Sequence, residues 1–326
     1  MSEQTDPSQL NNEPQKLRPM GFGDLLDAIF SLYRAHFLPF LAIASGYFIA
    51  ILIVISIVFL DDSVGRGAKI AIWISTVSVI FGVFIVVVSG LVFASTEAYL
   101  SRNIRVGAAL RQAMPRFLPC FIGSLLFGLL AFLCVLFANI LFMLLIQSYI
   151  STVDDLRSIN AFLLNFTIQF VFVTTIVCLA GFFLPYWSFF VSTVSLEGRS
   201  IRAGLRRSRE LIRGRRWRVV GTVLAIFLLP LAIGFVLRAV FAFLLVLTGL
   251  EGMGGFLETV RWMSLWELPT NLEELRLSYA LMYLINLGVD TFTIPIWVIG
   301  CTLLYFDQRI RKEGFDIEMI ATSQEE

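Results

Sequence analysis

Six stretches of the chain carry no charged side chain, or a single one, over about 20 positions or more. They cover 37–60, 70–96, 117–146, 158–196, 219–250 and 277–306, and Asp, Glu, Lys and Arg gather between them. A bilayer core about 30 Å thick is crossed by roughly 20 helical residues. Strands of a membrane barrel alternate in polarity over about ten residues, and these stretches do not alternate. The pattern therefore predicts an all-α fold, a polytopic integral membrane helical bundle of six transmembrane helices. The spans fall at about 37–60, 70–95, 117–146, 161–193, 219–247 and 277–306. The fourth stretch would reach about 58 Å as a helix. Two spans would leave nothing for a turn, so Gly181 and Pro185 point to one long, kinked helix.

Three polar segments have a helical period of their own, each just before a pair of spans. In 22–37, Leu25, Ile29, Leu32, Tyr33 and His36 share one side, and Asp24, Asp27, Ser31 and Arg34 the other. A shorter segment covers 106–117, and a third covers 200–213. Phe-Leu-Pro recurs at 37–39 and 117–119, each time opening a span. The chain reads as three units of cytoplasmic amphipathic helix plus helical hairpin; against that stands the commonness of amphipathic loops between spans.

Composition changes the picture in one respect. The 326 residues are 58% hydrophobic and 15% charged, against about 25% charged in soluble domains. That leaves too few polar groups to cover a water-exposed surface, and it excludes a disordered chain. Charge placement then gives orientation. Nineteen of the 25 Lys and Arg fall in 1–36, 97–116, 197–218 and the tail after Phe306. Five fall in the alternate loops, and Arg238 lies within a span. This positive-inside bias puts both termini in the cytoplasm and makes the span number even. Residues 1–19 are polar, hold three prolines and lack an apolar signal core. They are expected to be a disordered cytoplasmic N-terminus with no cleaved signal. Residues 20–313 form the membrane domain and 314–326 a cytoplasmic tail.

The sharpest charge pattern is Arg199, Arg202, Arg206, Arg209 and Arg213, spaced 3, 4, 3 and 4. On a helix these make one guanidinium stripe, with Ile201, Leu205, Ser208 and Ile212 opposite. Arg215, Arg216 and Arg218 follow where the chain meets the membrane. The stripe is either a topology determinant or a site for anionic lipid headgroups. Nucleic acid is not expected, because interleaved aromatics are absent.

Two charges lie inside spans, Arg238 and Asp290. Their depths above the Arg-rich edge are roughly 30 and 24 Å by helical rise. Intramembrane charges face protein or water and are functional candidates. The pair is expected to meet across the last two spans, as a structural clamp or as part of a substrate or proton path. Snorkelling of Arg238 to the outer interface is the third possibility. Asn286, Thr291, Thr293 and Pro295 around Asp290 resemble the broken helices of transporters. The loop at 251–276, with Trp262 and Trp266, is read as an interfacial anchor or a lid.

Catalytic chemistry is thin. Phosphate-loop, zinc-histidine and nucleophile-elbow patterns are missing. His36 is the sole histidine and sits among aromatics at an interface. Cys120, Cys134, Cys178 and Cys301 all fall in spans and read as small apolar fillers. The paired acids at 61–62 and 154–155 read as solvated turns. No cofactor or metal is expected.

Leu17-Arg-Pro-Met-Gly-Phe-Gly-Asp-Leu-Leu-Asp, running into Tyr33-Arg-Ala-His-Phe, resembles the opening of the bacterial glycerophosphoryl diester phosphodiesterase membrane-domain family. Ala203-Gly-Leu-Arg-Arg-Ser-Arg-Glu-Leu-Ile-Arg-Gly resembles its central cytoplasmic helix, and Leu304-Tyr-Phe-Asp-Gln-Arg-Ile-Arg-Lys-Glu-Gly-Phe-Asp its C-terminal signature. The resemblance implies a multi-span helical domain, fused in some relatives to a soluble phosphodiesterase barrel. About 20 residues follow the last span here, so the barrel and its activity are not expected. The alternating charges at Asp307, Arg309, Arg311, Glu313 and Asp316 suggest a short helix that docks on the stripe at 199–213. The expected function is a non-enzymatic scaffold or regulatory membrane component that meets lipid headgroups or a membrane-protein partner. The alternative is a transporter or permease with its site near Arg238 and Asp290.

Overall fold

The computed structural model describes residues 20–59, 66–100, 102–150, 157–248 and 277–313. Every element among them is helical: α1 (Phe22–Ala35), α2 (Phe37–Phe59), α3 (Arg66–Tyr99), α4 (Val106–Ala113), a 3-10 turn (Met114–Arg116), α5 (Phe117–Ile150), α6 (Arg157–Glu197), α7 (Ile201–Ile212), α8 (Arg216–Leu247) and α9 (Leu277–Glu313). The sequence readings at 1–19, 61–62, 154–155, 251–276 and 314–326 lie outside the described residues.

Four segments are long and apolar enough to cross a bilayer: Ile74–Tyr99, Val106–Leu144, Arg216–Leu244 and Leu284–Glu313. Phe22–Ala35 and Phe37–Ile53, bent by 86°, make a fifth if the pair counts as one span. The bend falls at His36, whose backbone leaves the helical region between α1 and α2. The long fourth stretch is one helix, α6, 41 residues with Pro185 inside. It ends where Gly198 takes a φ of +64°, and α7 is closed off by Gly214 at +95°, conformations that cost glycine nothing.

Packing follows a threefold plan. The long helices α3, α6 and α9 touch one another and form the centre. The outer helices α2, α5 and α8 each pack on their own unit's central helix and on that of the preceding unit. The short helices α4 and α7 pack on the central helix of the unit before them, and α1 packs on α9, which closes the ring. The core follows this arrangement, with Leu25 and Ile29 of α1, Leu91 of α3, Phe190 of α6 and Leu303 of α9 all nearly inaccessible.

One packing position repeats around the ring with a change of sign. At Gly90 on α3 an added Cβ would meet Leu110 of α4 at 3.0 Å and Ile43 of α2 at 3.4 Å. At Gly300 on α9 it would meet Ile226 of α8 at 2.6 Å and Ile29 of α1 at 3.0 Å. In both places the central helix is notched, and its outer and short neighbours fill the notch. On α6 the equivalent residue is Phe190, and the notches are on the neighbours. A Cβ at Gly123 of α5 would lie 2.1 Å from the Phe190 ring, and one at Gly204 of α7 would lie 3.2 Å from it. Close helix packing needs small residues against large ones, and either partner can supply the small one.

Candidate functional site

The interior charges meet on the face between α8 and α9. The Arg238 guanidinium donates from Nη2 to Asp290 Oδ1 and from Nε to Asn286 Oδ1 at 3.1 Å. Gly234, one turn earlier on α8, gives the guanidinium room: a Cβ there would stand 3.0 Å from Arg238 Nη1. Thr291 and Thr293 turn their hydroxyls back to the carbonyls of Leu287 and Asp290, so they hold the local helix and do not add ligands to the pair. Arg238 is largely covered, and Asp290 is partly exposed. Two small cavities lie elsewhere. One of about 30 Å³ is bordered by α1, α8 and α9 at the Arg-rich end. One of about 10 Å³ lies between the three central helices, against Val88, Val92, Ser188, Ser192, Trp297 and Cys301. Neither is bordered by Arg238 or Asp290.

The second cluster is at the Arg-rich end. Seven residues beyond Gly90, Phe190 and Gly300, the central helices carry Glu97, Glu197 and Asp307. Glu197 accepts from Tyr305 Oη at 2.6 Å, Arg199 Nε at 2.5 Å and Arg207 Nε at 3.4 Å. Burial pushes the Glu197 carboxyl up, but the Tyr305 hydroxyl and the two guanidiniums outweigh it and hold the group below its ordinary value. Asp307 accepts the Met20 N–H at 2.8 Å and Arg311 Nε at 2.8 and 3.0 Å. Arg311 Nη2 in turn donates to the Met20 carbonyl at 2.6 Å. Asp307 and Arg311 thus seat the start of α1 on α9. In the first unit the corresponding groups are not joined. Glu97 Oε2 and Arg116 Nη1 are buried without a hydrogen-bond partner among the described residues, and the Arg116 guanidinium lies 5.3 Å over the Phe93 ring.

No known family model, curated protein or solved structure matches the chain.

The stripe residues Arg199, Arg202, Arg206, Arg209 and Arg213 are all exposed. Arg199 pairs with Glu197 and Arg206 with Glu210 at 2.9 Å; Arg202, Arg209 and Arg213 make no ion pair among the described residues. The opposite side of α7 differs from the spacing-based expectation. Gly204, Ser208, Leu211 and Ile212 are buried, whereas Ile201 and Leu205 are half-buried. The helix is rolled toward Gly204 because that glycine lets Val194 and Phe190 approach. The end of α9 does dock on α7, but through a residue outside the stripe. Arg207 Nη2 meets Glu313 Oε1 at 2.5 Å, and Lys312 Nζ donates to the carbonyls of Glu210 and Arg213 at 2.6 Å each. A lysine on the last carbonyls of a helix satisfies orphan acceptors and suits the helix dipole.

Arg207, Glu97 and Glu197 were not singled out by sequence reasoning, and Asp307 was noticed only as one of the alternating charges after the last span. Their signal is the seven-residue offset from the packing position, visible only once Gly90, Phe190 and Gly300 are seen to be equivalent. Chemically the Glu197 and Asp307 groups are paired carboxylates, whereas Glu97 Oε2 and Arg116 Nη1 stand without partners among the described residues. Among the described residues no three His, Cys, Asp or Glu side chains gather as metal ligands. Cys120, Cys134 and Cys301 are free thiols, two of them buried.

Proposed function

We propose that this protein is a non-enzymatic scaffold or regulatory component of the bacterial cytoplasmic membrane. It spans six times with both termini inside, and its basic cytoplasmic face meets anionic lipid headgroups. The observation that carries the reading is the exposed arginine face of α7 and of the α7–α8 turn. Arg202, Arg206, Arg209, Arg213, Arg215, Arg216 and Arg218 all face outward. Trp217, in their midst, is 90% exposed just before α8 turns apolar. Tryptophan favours the headgroup layer, where an apolar ring and a polar N–H are both accommodated. Guanidinium forks match phosphate oxygens, and each basic residue near an anionic leaflet contributes about 1 kcal/mol. A count of six takes the four candidate segments, the bent pair as a fifth span and α6, 41 residues long, as the sixth. The Arg238–Asp290–Asn286 contact then serves as a register clamp between α8 and α9. The Asp290 carboxylate and the Asn286 oxygen are both engaged by Arg238, which favours that role over a substrate path.

The test is twofold. Reporter fusions after residues 60, 150 and 260 are expected to report the outer side. Purified protein examined by native mass spectrometry is expected to retain anionic phospholipids over phosphatidylcholine, and to lose the preference when Arg202, Arg206 and Arg209 become Gln. A reporter active on the inner side refutes the topology; equal retention of charged and neutral lipids refutes the headgroup role.

A further inference from the structure

The end of α9 is fixed to the end of α7. Lys312 Nζ holds the carbonyls of Glu210 and Arg213, and Glu313 Oε1 meets Arg207 Nη2. Around that point the surface carries positive charge that its own acids do not balance. Arg202, Arg209 and Arg213 are exposed, as are Arg215, Arg216 and Arg218 beyond them, and none of these makes an ion pair among the described residues. The neighbouring carboxylates are already engaged: Glu197 by Arg199 and Arg207, Glu210 by Arg206, and Glu313 by Arg207 and Arg309. Like charges three and four residues apart on one helix repel each other, so an anion laid along this face relieves that repulsion.

The chain itself supplies such an anion next to where α9 ends. Residues 314–326 hold Asp316, Glu318, Glu325 and Glu326 and no Lys or Arg. Asp316 and Glu318 follow Glu313 closely in sequence, by up to about 11 and 18 Å of chain. The stripe from Arg202 to Arg213 is about 16 Å long by helical rise, so both acids have arginines within reach. A carboxylate tethered this near its partner has an effective concentration on the order of millimolar, and exposed pairs that are weak singly then act together. Residues 1–19 also leave from this region, since the Met20 carbonyl accepts from Arg311. There, however, Arg18 and Lys16 come first and Glu13, Asp6 and Glu3 only after them, so the nearest charges are repelled by the arginine face. We propose that residues 314–326 dock on the exposed arginine face of α7 through Asp316 and Glu318, and so shield it from anionic lipid. The inference rests on the headgroup reading above and adds a competitor for the same guanidiniums, one that lipid must displace.

The experiment uses the full chain in vesicles, with Arg209→Lys and Arg213→Lys made separately; each keeps the charge and supplies an amine. A carbodiimide joins an amine to a carboxylate only where the two touch. In phosphatidylcholine vesicles, peptide mass spectrometry is expected to find position 209 or 213 joined to Asp316 or Glu318. In an equal mixture of isotope-labelled and unlabelled protein, those joins are expected to fall within single chains. Phosphatidylglycerol in the vesicles is expected to cut their yield by about two- to fivefold, the range for an exposed ion pair. Asp316→Asn combined with Glu318→Gln is expected to raise retention of phosphatidylglycerol over phosphatidylcholine by a similar factor in native mass spectrometry. Joins to Glu210 or Glu313 alone, which prove the reagent active, overturn the docking. Joins to residues 1–19, or between labelled and unlabelled chains, overturn it too, by naming another occupant. A yield indifferent to phosphatidylglycerol overturns the shielding while wild type still prefers that lipid. Should wild type retain both lipids equally, the headgroup reading falls and takes the shielding with it, even where joins to Asp316 are present.

Discussion

At the residue scale, volume and charge make different demands. Phe190 is fully buried and lies against Gly123 on one side and Gly204 on the other. Its ring has no room to retreat. Gly123→Ala places a methyl 2.1 Å from that ring and is expected to cost about 1–3 kcal/mol by overpacking. That outweighs the helix-propensity gain of up to about 1 kcal/mol. Gly128→Ala, five residues on, meets nothing within 4 Å and is expected to stabilise slightly. Thermal unfolding of both variants in the same detergent checks the contrast. Glu197 gives a pH dependence. Its folded-state carboxyl lies below its ordinary value, so its stabilisation is present at neutral pH and is lost as pH falls through the folded value. Glu197→Gln is expected to lower stability at pH 7 by about 1–3 kcal/mol, since Arg199 and Arg207 lose their partner. The gap to wild type should close only as pH falls below the ordinary carboxylate range and through the folded value, where wild type is protonated too. A gap that stays constant to the lowest pH at which both proteins still fold would show that the charge is not what matters.

At the element scale, the short helices are positioned by packing more than by their own composition. The segments 22–37, 106–117 and 200–213 picked out by apolar spacing overlap α1, α4 and α7, with ends that differ by up to four residues. That spacing was not enough to orient α7. The roll of that helix is decided by Gly204, and a glycine adds nothing to an apolar stripe. Docking of α9 on α7 was anticipated from alternating charge, yet the residue that performs it, Arg207, lies beside the regular stripe. The stripe drew attention because it is regular, and it is regular because nothing in the chain interrupts it. Arg207→Cys with Glu313→Cys is expected to cross-link in membranes with a short bis-maleimide, because the native side chains touch across 2.5 Å. Absence of the cross-linked species, with each single cysteine accessible to labelling, would mean that α9 does not rest on α7.

At the scale of the whole molecule, the apolar stretches were legible because hydrocarbon excludes unpaired charge. Neighbour relations were not. Hydrophobic periodicity says that a helix has a partner and not which one, so the mutual contact of α3, α6 and α9, and the return of α1 to α9, carried no trace in composition. The meeting of Arg238 with Asp290 was an easier inference, because two lone charges in consecutive antiparallel helices have few other places to go. The ring suggests a rearrangement test. A circular permutant that begins at residue 103 and ends at residue 102, with the native ends joined by a flexible linker, keeps each short helix ahead of its hairpin. It is expected to reach the membrane fraction and to melt within a few degrees of the parent. Aggregation of this permutant, but not of a control with the same linker appended at the tail, would show that the three units are not interchangeable in order.

The bond between the Met20 amide and Asp307 joins positions 287 residues apart. On a ribosome adding about 5–20 residues per second, the opening helix waits roughly 15–60 s for the segment that will hold it. During that interval the notch at Gly300 that Ile29 fills has not yet been made, and α1 can pack only on α2 and α3. Any chain halted before Asp307 therefore lacks the bond that seats α1, however well its other segments have settled.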